Sequence, residues 1–364
     1  MKKLFTLISI FLCAALLFGC GPAVQPIPDS SRTVTDYTGR TVSIPAEIER
    51  IAALGPSALR LLCYAGQAGK VVGVEQFEKE LTVTKPYTYV HPELAELPVI
   101  GQGGGGGGSP FPEELVQLQP DVIFAAYDRQ AADALQAQTG IPVVTVSSYG
   151  VFAEETDFSL SLIGEVLDCA ERTDALIAYT AACKEDLAAR TADIPEAERP
   201  AVYAGGVGFN GPHGFDGTHA HYPPFDAIGA RNVVDETGEE GAFLIELEKV
   251  LAWQPDVIFL NPENLYLVNE DYAKNPDFYN SLTAVQQGEV YTQLPYNYYS
   301  TNIELAIADA YYAGCVLYPE QFADIDIASK ADEIFETFLG VPFYEELAAS
   351  GNRFEQLVIG VDLP

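Results

Sequence analysis

The residues best equipped for chemistry sit in one short stretch. His213, His219 and His221 are three of the chain's four histidines, with Asp216 among them. On an extended segment His219 and His221 would put both rings on one face. Such a group could ligate a metal ion directly or hold the metal of a chelate. His91, alone before a proline, reads as a surface residue. A second stretch imitates a nucleotide site. Gly101 and the run Gly103–Gly108 satisfy G-x-G-x-x-G, and Asp128 follows about twenty residues on. Ser109-Pro110-Phe111-Pro112 then separates the glycines from the next helix, so no helix N-terminus could cradle a pyrophosphate. The run reads as a mobile loop, or as backbone amides approaching an anionic group. There is no nucleophile elbow, Walker A or H-E-x-x-H, so the chain is read as a non-enzyme without a cofactor.

Which residues meet depends on the elements that carry them. Gln119-Pro-Asp-Val-Ile-Phe124 recurs as Gln254-Pro-Asp-Val-Ile-Phe259, 135 residues later. Each copy follows a helix-like segment, Glu113–Leu118 or Glu246–Trp253, and runs into a stretch read as a buried parallel strand. The proline stops the helix and the aspartate starts the turn. Glu113 stands eight residues before Asp121, and Glu248 eight before Asp256. The spacing is too long for a solenoid and reads as one duplicated unit. Further strands are expected at Arg50–Leu54, Lys70–Val74 and Ile141–Val146, then at Ala201–Ala204 and Glu289–Thr292. Ser57 is a candidate N-cap for a helix through Tyr64. The alternation predicts an α/β class with two similar lobes and parallel sheets. Between the units, Phe158–Ala192 lacks proline and has helical apolar spacing. It reads as a helix, a break near 168–173 and a second helix to about Ala192. About 18 residues would span ~27 Å, enough for a rigid strut.

Composition narrows the function. At 364 residues the chain is too long for one core, so two domains are expected. A formal charge of −33 excludes nucleic acid as a partner. It also repels an anionic membrane surface, so attachment would need a lipid or an inserted segment. Residues 1–19 read as a signal peptide, with a basic start and an apolar run too short to span a bilayer. Leu17-Phe18-Gly19-Cys20 resembles the lipobox of a bacterial lipoprotein precursor, which implies cleavage before Cys20 and lipid on its sulfur. Residues 20–31 read as a tether. Cys63, Cys169, Cys183 and Cys315 then remain, without C-x-x-C, so a zinc site is unsupported. A disulfide is permitted but not implied, and Cys63 and Cys315 read as buried thiols.

Arg32–Asp36, Thr38–Val42 and Ile44-Pro45 form an opening hairpin pattern. With the Ile51–Leu54 to Val71–Val74 unit and Leu118–Phe124, they resemble the class III substrate-binding proteins, the iron-complex and vitamin B12-binding family that feeds ABC importers. The resemblance covers about residues 32–345. It implies an N-terminal lobe at 32–152, connecting helices at 153–195, a C-terminal lobe at 196–364 and a cleft between lobes whose closure the helix limits. It further implies a monomer, lipid-anchored through Cys20 outside the cytoplasmic membrane, that passes a metal chelate (iron–siderophore, haem or corrinoid) to an ABC permease and its ATPase. Glu113 and Glu248 would dock arginines of that permease. Strand carboxyl ends line ligand crevices, which nominates Gly55, Pro56, Ser57, Tyr127, Asp128, Arg129 and Tyr149. The second lobe adds Gly206 to Tyr222 with His213, then Asn261 and Tyr296 to Tyr299. Their aromatic and neutral polar character suits a bulky organic ligand, and Arg129 is the one obvious cation for a bare anion. The alternatives are a direct metal-ion receptor built on His213, His219 and His221, an exported metal-dependent enzyme, or a surface sensor.

Overall fold

The computed structural model describes residues 31–104, 108–147 and 149–361. The residues read as signal peptide and tether before Ser31, with Cys20, lie outside the described residues, as does part of the Gly103–Gly108 run. The chain opens on an antiparallel hairpin, β1 (Ser31–Thr35) and β2 (Thr41–Pro45). Its turn is held by Asp36, whose carboxylate accepts from the Arg40 amide at 2.8 Å and from Arg40 Nη1 at 3.0 Å.

The first lobe contains β3 (Ile51–Leu54), β4 (Val74–Glu75), β5 (Val99–Gly101), β6 (Val122–Ala125) and β7 (Val143–Thr145), in two sheets. β3, β6 and β7 pair in parallel in that order, and β4 pairs with β5. The expected strand Lys70–Val74 shrinks to Val74–Glu75. The Val72 amide bonds to Ile51 O and the Val74 amide to Pro98 O, so the chain changes partner within three residues and breaks the ladder.

The second lobe carries β8 (Ala201–Gly205), β9 (Gly217–Ala220), β10 (Arg231–Asn232), β11 (Gly241–Leu244), β12 (Val257–Leu260) and β13 (Val290–Thr292). Its parallel sheet runs β10-β8-β12-β13, and β9 and β11 form an antiparallel pair beside it. The two copies of the repeat are the equivalent inner strands: β6 lies between β3 and β7, β12 between β8 and β13.

Each copy is built by the same local physics. The helices Pro112–Leu118 and Leu247–Trp253 end on Gln119 and Gln254 in left-handed backbone, φ 50° and 48°. Asp121 Oδ2 accepts from the amides of Glu49 and Arg50 at 2.9 Å, and Asp256 Oδ2 accepts from the Ala201 amide at 2.8 Å. The repeated aspartate therefore ties its strand to the neighbouring strand. Side chains then alternate between two cores, as a strand buried on both faces requires. Val122 and Phe124 face one cluster, Ile123 and Ala125 another; Val257 and Phe259 repeat this against Ile258 and Leu260.

The helices Glu154–Leu167 and Ala170–Thr191 join the sheets, with the break at Asp168, φ 54°. The second has 22 residues, long enough at 1.5 Å per residue to run past both lobes. It packs beside Ile303–Leu317, a helix buried on nearly every side. The largest apolar cluster runs from Val34 through these helices to Leu347. One continuous core under both lobes resists a free hinge. Cys63, Cys169, Cys183 and Cys315 are all free thiols. Cys63 is buried as expected, but Cys315 is only half-buried, at the margin of the largest cluster.

Candidate ligand-binding cleft

Carboxyl-end loops of the first sheet meet one loop of the second lobe, Tyr296 to Asn302, which follows β13. Arg60, on the Ala58–Tyr64 helix and fully buried, clamps this loop. It donates to Tyr298 O at 2.7 Å, Tyr299 O at 3.1 Å and Asn302 Oδ1 at 3.0 Å, and lies 4.6 Å from the Tyr87 ring centre. Asn302 Nδ2 donates to Thr84 O at 2.9 Å, and the Gly150 amide to Thr301 Oγ1 at 3.2 Å. Phe77 packs on the rings of Tyr298 and Tyr299, with centroids 5.8 and 4.7 Å away.

Glu75, at the end of β4, lies beneath this loop. Its Oε2 accepts from the Tyr299 hydroxyl at 2.8 Å and from the Gly55 amide at 3.0 Å. Burial pushes its carboxyl up to about 7, against the pull of those two donors. Gly103 crosses directly above it with φ +67°, where a Cβ would sit 2.9 Å from Glu75 Cβ. Behind it, burial raises the Glu78 carboxyl and lowers the Lys85 ammonium; the two stand 3.5 Å apart. Lys85 Nζ also donates to Phe77 O at 2.7 Å.

Arg60, Glu75, Phe77 and Lys85 escape sequence reasoning. Glu75 ends its strand and Phe77 lies two residues beyond, close to the signal that nominated Gly55 to Ser57, whereas Arg60 and Lys85 lie farther from any strand end. Gly55 turns with φ +80°, which favours glycine, and an added Cβ would lie 3.2 Å from Ala126 O. Ser57 holds the N-cap position, but in left-handed backbone and without a side-chain cap bond. Pro56 is half-buried beside them. Tyr127 is half-buried and reaches Gly108 O at 3.5 Å. Tyr149 is 66% exposed. Arg129 does not point at the cleft contacts: its Nη2 donates to Thr38 O at 2.6 Å, in the opening hairpin.

On the second lobe, Tyr222, Asn261 and Tyr296 line a cavity of about 20 Å³ with Gly205, Gln293 and Asn297. That volume is room for about one water. Tyr222 and Tyr296 pack 5.6 Å apart, and Tyr298 stands at the loop's outer end against Phe77. The three histidines, in contrast, do not form one ligand set. His213 Nε2 lies 2.7 Å from Phe209 O and its ring packs on Phe209. His219 Nδ1 lies 2.7 Å from Ala220 O, and burial lowers its pKa. His221 stands instead with Asp226 and Asp235, its Nδ1 3.9 Å from each carboxylate. This is the one metal-capable group among the described residues. The expected grouping fails because backbone carbonyls take a ring nitrogen from each of the other two.

Residues 51–295 match the family described as Periplasmic binding protein. The chain belongs to that family. As a periplasmic binding protein it is a substrate-binding component of an ABC importer, in a family whose members bind and hand over ligands without transforming them. The molybdate-binding protein MolA of Haemophilus influenzae is 25% identical over 345 residues, 88% of this chain and 94% of MolA. A cobalamin-binding protein of Halobacterium salinarum is 27% identical over 235 residues, 62% of this chain and 57% of that protein. A periplasmic solute binding protein of Veillonella parvula shares the fold with TM-score 0.69 at 22% identity, covering 86% of this chain and 94% of its own. MolA bound to molybdate superposes with TM-score 0.65 at 23% identity, covering 85% and 98%.

In this periplasmic binding protein Glu113 and Glu248 are matched positions. Each is the second residue of its short helix, and each is exposed. No described helix is long and apolar enough to cross a membrane.

Proposed function

We propose that the chain is a lipid-anchored receptor that captures a metal chelate between its lobes and delivers it to an ABC permease. The lobes are residues 32–152 and 196–364, joined by 153–195, and the receptor acts as a monomer held outside the cytoplasmic membrane by lipid on Cys20. The observation that carries the reading is the aromatic, cation-poor contact between the lobes. Phe77, Tyr298 and Tyr299 supply ring faces there, while the Arg60 and Lys85 head groups are spent on backbone and side-chain oxygens. Ring faces and neutral polar groups suit a bulky organic ligand. Tyr127, Tyr149, Tyr222, Asn261, Tyr296 and Tyr298 are the proposed ligand contacts, with Gly55, Pro56 and Ser57 shaping the floor. Glu113 and Glu248 are the proposed docking pair, since carboxylates orient arginines bidentately. Their matching places on the two duplicated helices support a symmetric dock.

Native mass spectrometry of the detergent-solubilised chain, with haem, cobalamin, ferric siderophores and bare metal ions, tests the reading. A one-to-one adduct with an organic chelate is expected. Binding of bare ions alone, lost in the triple change of His213, His219 and His221 to Ala, would replace the chelate reading with direct metal capture.

A further inference from the structure

Glu75 is a carboxyl that the chain places beneath the contact between its lobes. It is 1% exposed, and it sits at the carboxyl end of β4 in the parallel β4-β5 pair, the end at which open α/β sheets receive ligands. Its Oε2 holds the Gly55 amide and the Tyr299 hydroxyl, one donor from each lobe. Its Oε1 is buried and has no partner among the described residues. A buried acceptor left open is costly, so this oxygen is a group in want of a donor.

The surrounding cations cannot supply one. The Arg60 guanidinium is committed to Tyr298 O, Tyr299 O and Asn302 Oδ1. Lys85 Nζ is committed to Phe77 O and faces Glu78. Arg129 is turned to Thr38 O. An oxyanion entering here would need backbone amides, hydroxyls or a cation. It would find the Gly55 amide and the Tyr299 hydroxyl already held by the Glu75 carboxyl, which repels it once ionised, above about pH 7.

We propose that Glu75 sets the charge class of the ligand: the crevice accepts molecules that present hydrogen-bond donors or positive charge to Glu75 Oε1, and rejects tetrahedral oxyanions. This rests on the reading that the contact between the lobes is the ligand site. It separates this chain from MolA, the relative whose name declares molybdate, on a residue of this chain.

The test is calorimetric titration at pH 8, where Glu75 is ionised, of the full chain in detergent with sodium molybdate, for wild type, Glu75→Gln and Glu75→Ala. Wild type is expected to show no saturation below about 1 mM. Glu75→Gln removes the charge and keeps an acceptor for Gly55, and Glu75→Ala also frees both donors. Molybdate affinity should rise at least about tenfold in Glu75→Ala, with Glu75→Gln between it and wild type. Wild-type saturation below that concentration, or no gain in either variant, overturns the assignment. Any chelate found by mass spectrometry should bind Glu75→Gln at least about tenfold more weakly; unchanged affinity overturns the assignment as well. Tight molybdate binding by wild type would leave a receptor standing and remove only its charge class. If no chelate binds, the chelate reading fails while the molybdate comparison of the three chains still reports on Glu75.

Discussion

Replacing Glu75 by Gln should make the protein more stable at pH 8 and leave it nearly unchanged at pH 4.5. Burial raises the Glu75 carboxyl from an ordinary value near 4.5 to about 7. The folded state therefore binds this proton more tightly than the unfolded chain. The stability that the proton supplies is fully present below about 4.5 and is lost as pH rises through about 7. At 1.36 kcal/mol per pH unit, the shift of Glu75 corresponds to about 3 kcal/mol lost between these limits. Gln keeps the shape and an oxygen for Gly55 and does not titrate. The unfolding free energy of Glu75→Gln minus that of wild type should be within about 1 kcal/mol of zero at pH 4.5. It should climb to about 3 kcal/mol at pH 8. Glu78 and the other buried carboxyls are common to both chains and largely cancel in the difference. Urea unfolding followed by circular dichroism at pH 4.5, 6, 7 and 8 measures it. A difference that stays constant with pH, or grows toward acid, would refute the account of Glu75 as a carboxyl held in a costly place.

Three further outcomes follow from the same geometry. Arg60→Met strands two carbonyls and the Asn302 amide oxygen, so it should cost about 3–5 kcal/mol. It should also speed amide exchange across residues 296–302; protection equal to wild type would show that the clamp is not holding the loop. Glu113→Arg combined with Glu248→Arg should lower ligand-dependent stimulation of the transporter ATPase at least about tenfold, with ligand affinity unchanged; full stimulation would remove the docking pair. Cys63 is buried and its thiol is pushed up by burial, so iodoacetamide at pH 8 should leave it unlabelled in the folded chain while labelling it in urea. Rapid labelling of the native protein would show that its helix opens.

Much of the fold was legible because its signals are local. The Gln-Pro-Asp pattern encodes a helix end, a left-handed glutamine and a strand tie within a few residues, and it does so twice. Helical spacing through Phe158–Ala192 also read true, with the break at Asp168 where the chain takes φ 54°. The rule that ligands meet strand ends reached Gly55 and Tyr127 because a turn directly follows each strand. It missed Glu75, because the strand expected at Lys70–Val74 ends at Glu75 instead and its end was not nominated, and it gave Arg129 to the cleft when a hairpin far back in the chain claims it.

What the sequence by itself determined was therefore the class, the duplication and the strongly acidic charge. These depend on composition and on neighbours within about ten residues. Tertiary structure alone decided which polar groups meet. Tyr299 reaches Glu75 across 224 positions and Arg60 reaches Tyr299 across 239, distances over which no periodicity carries information. It also parted histidines that sequence had grouped: His213 and His219 each meet a backbone oxygen, while His221 stands with Asp226 and Asp235. Elements arise from short-range preference, whereas a buried carboxylate finds its partners only after two lobes pack on one core.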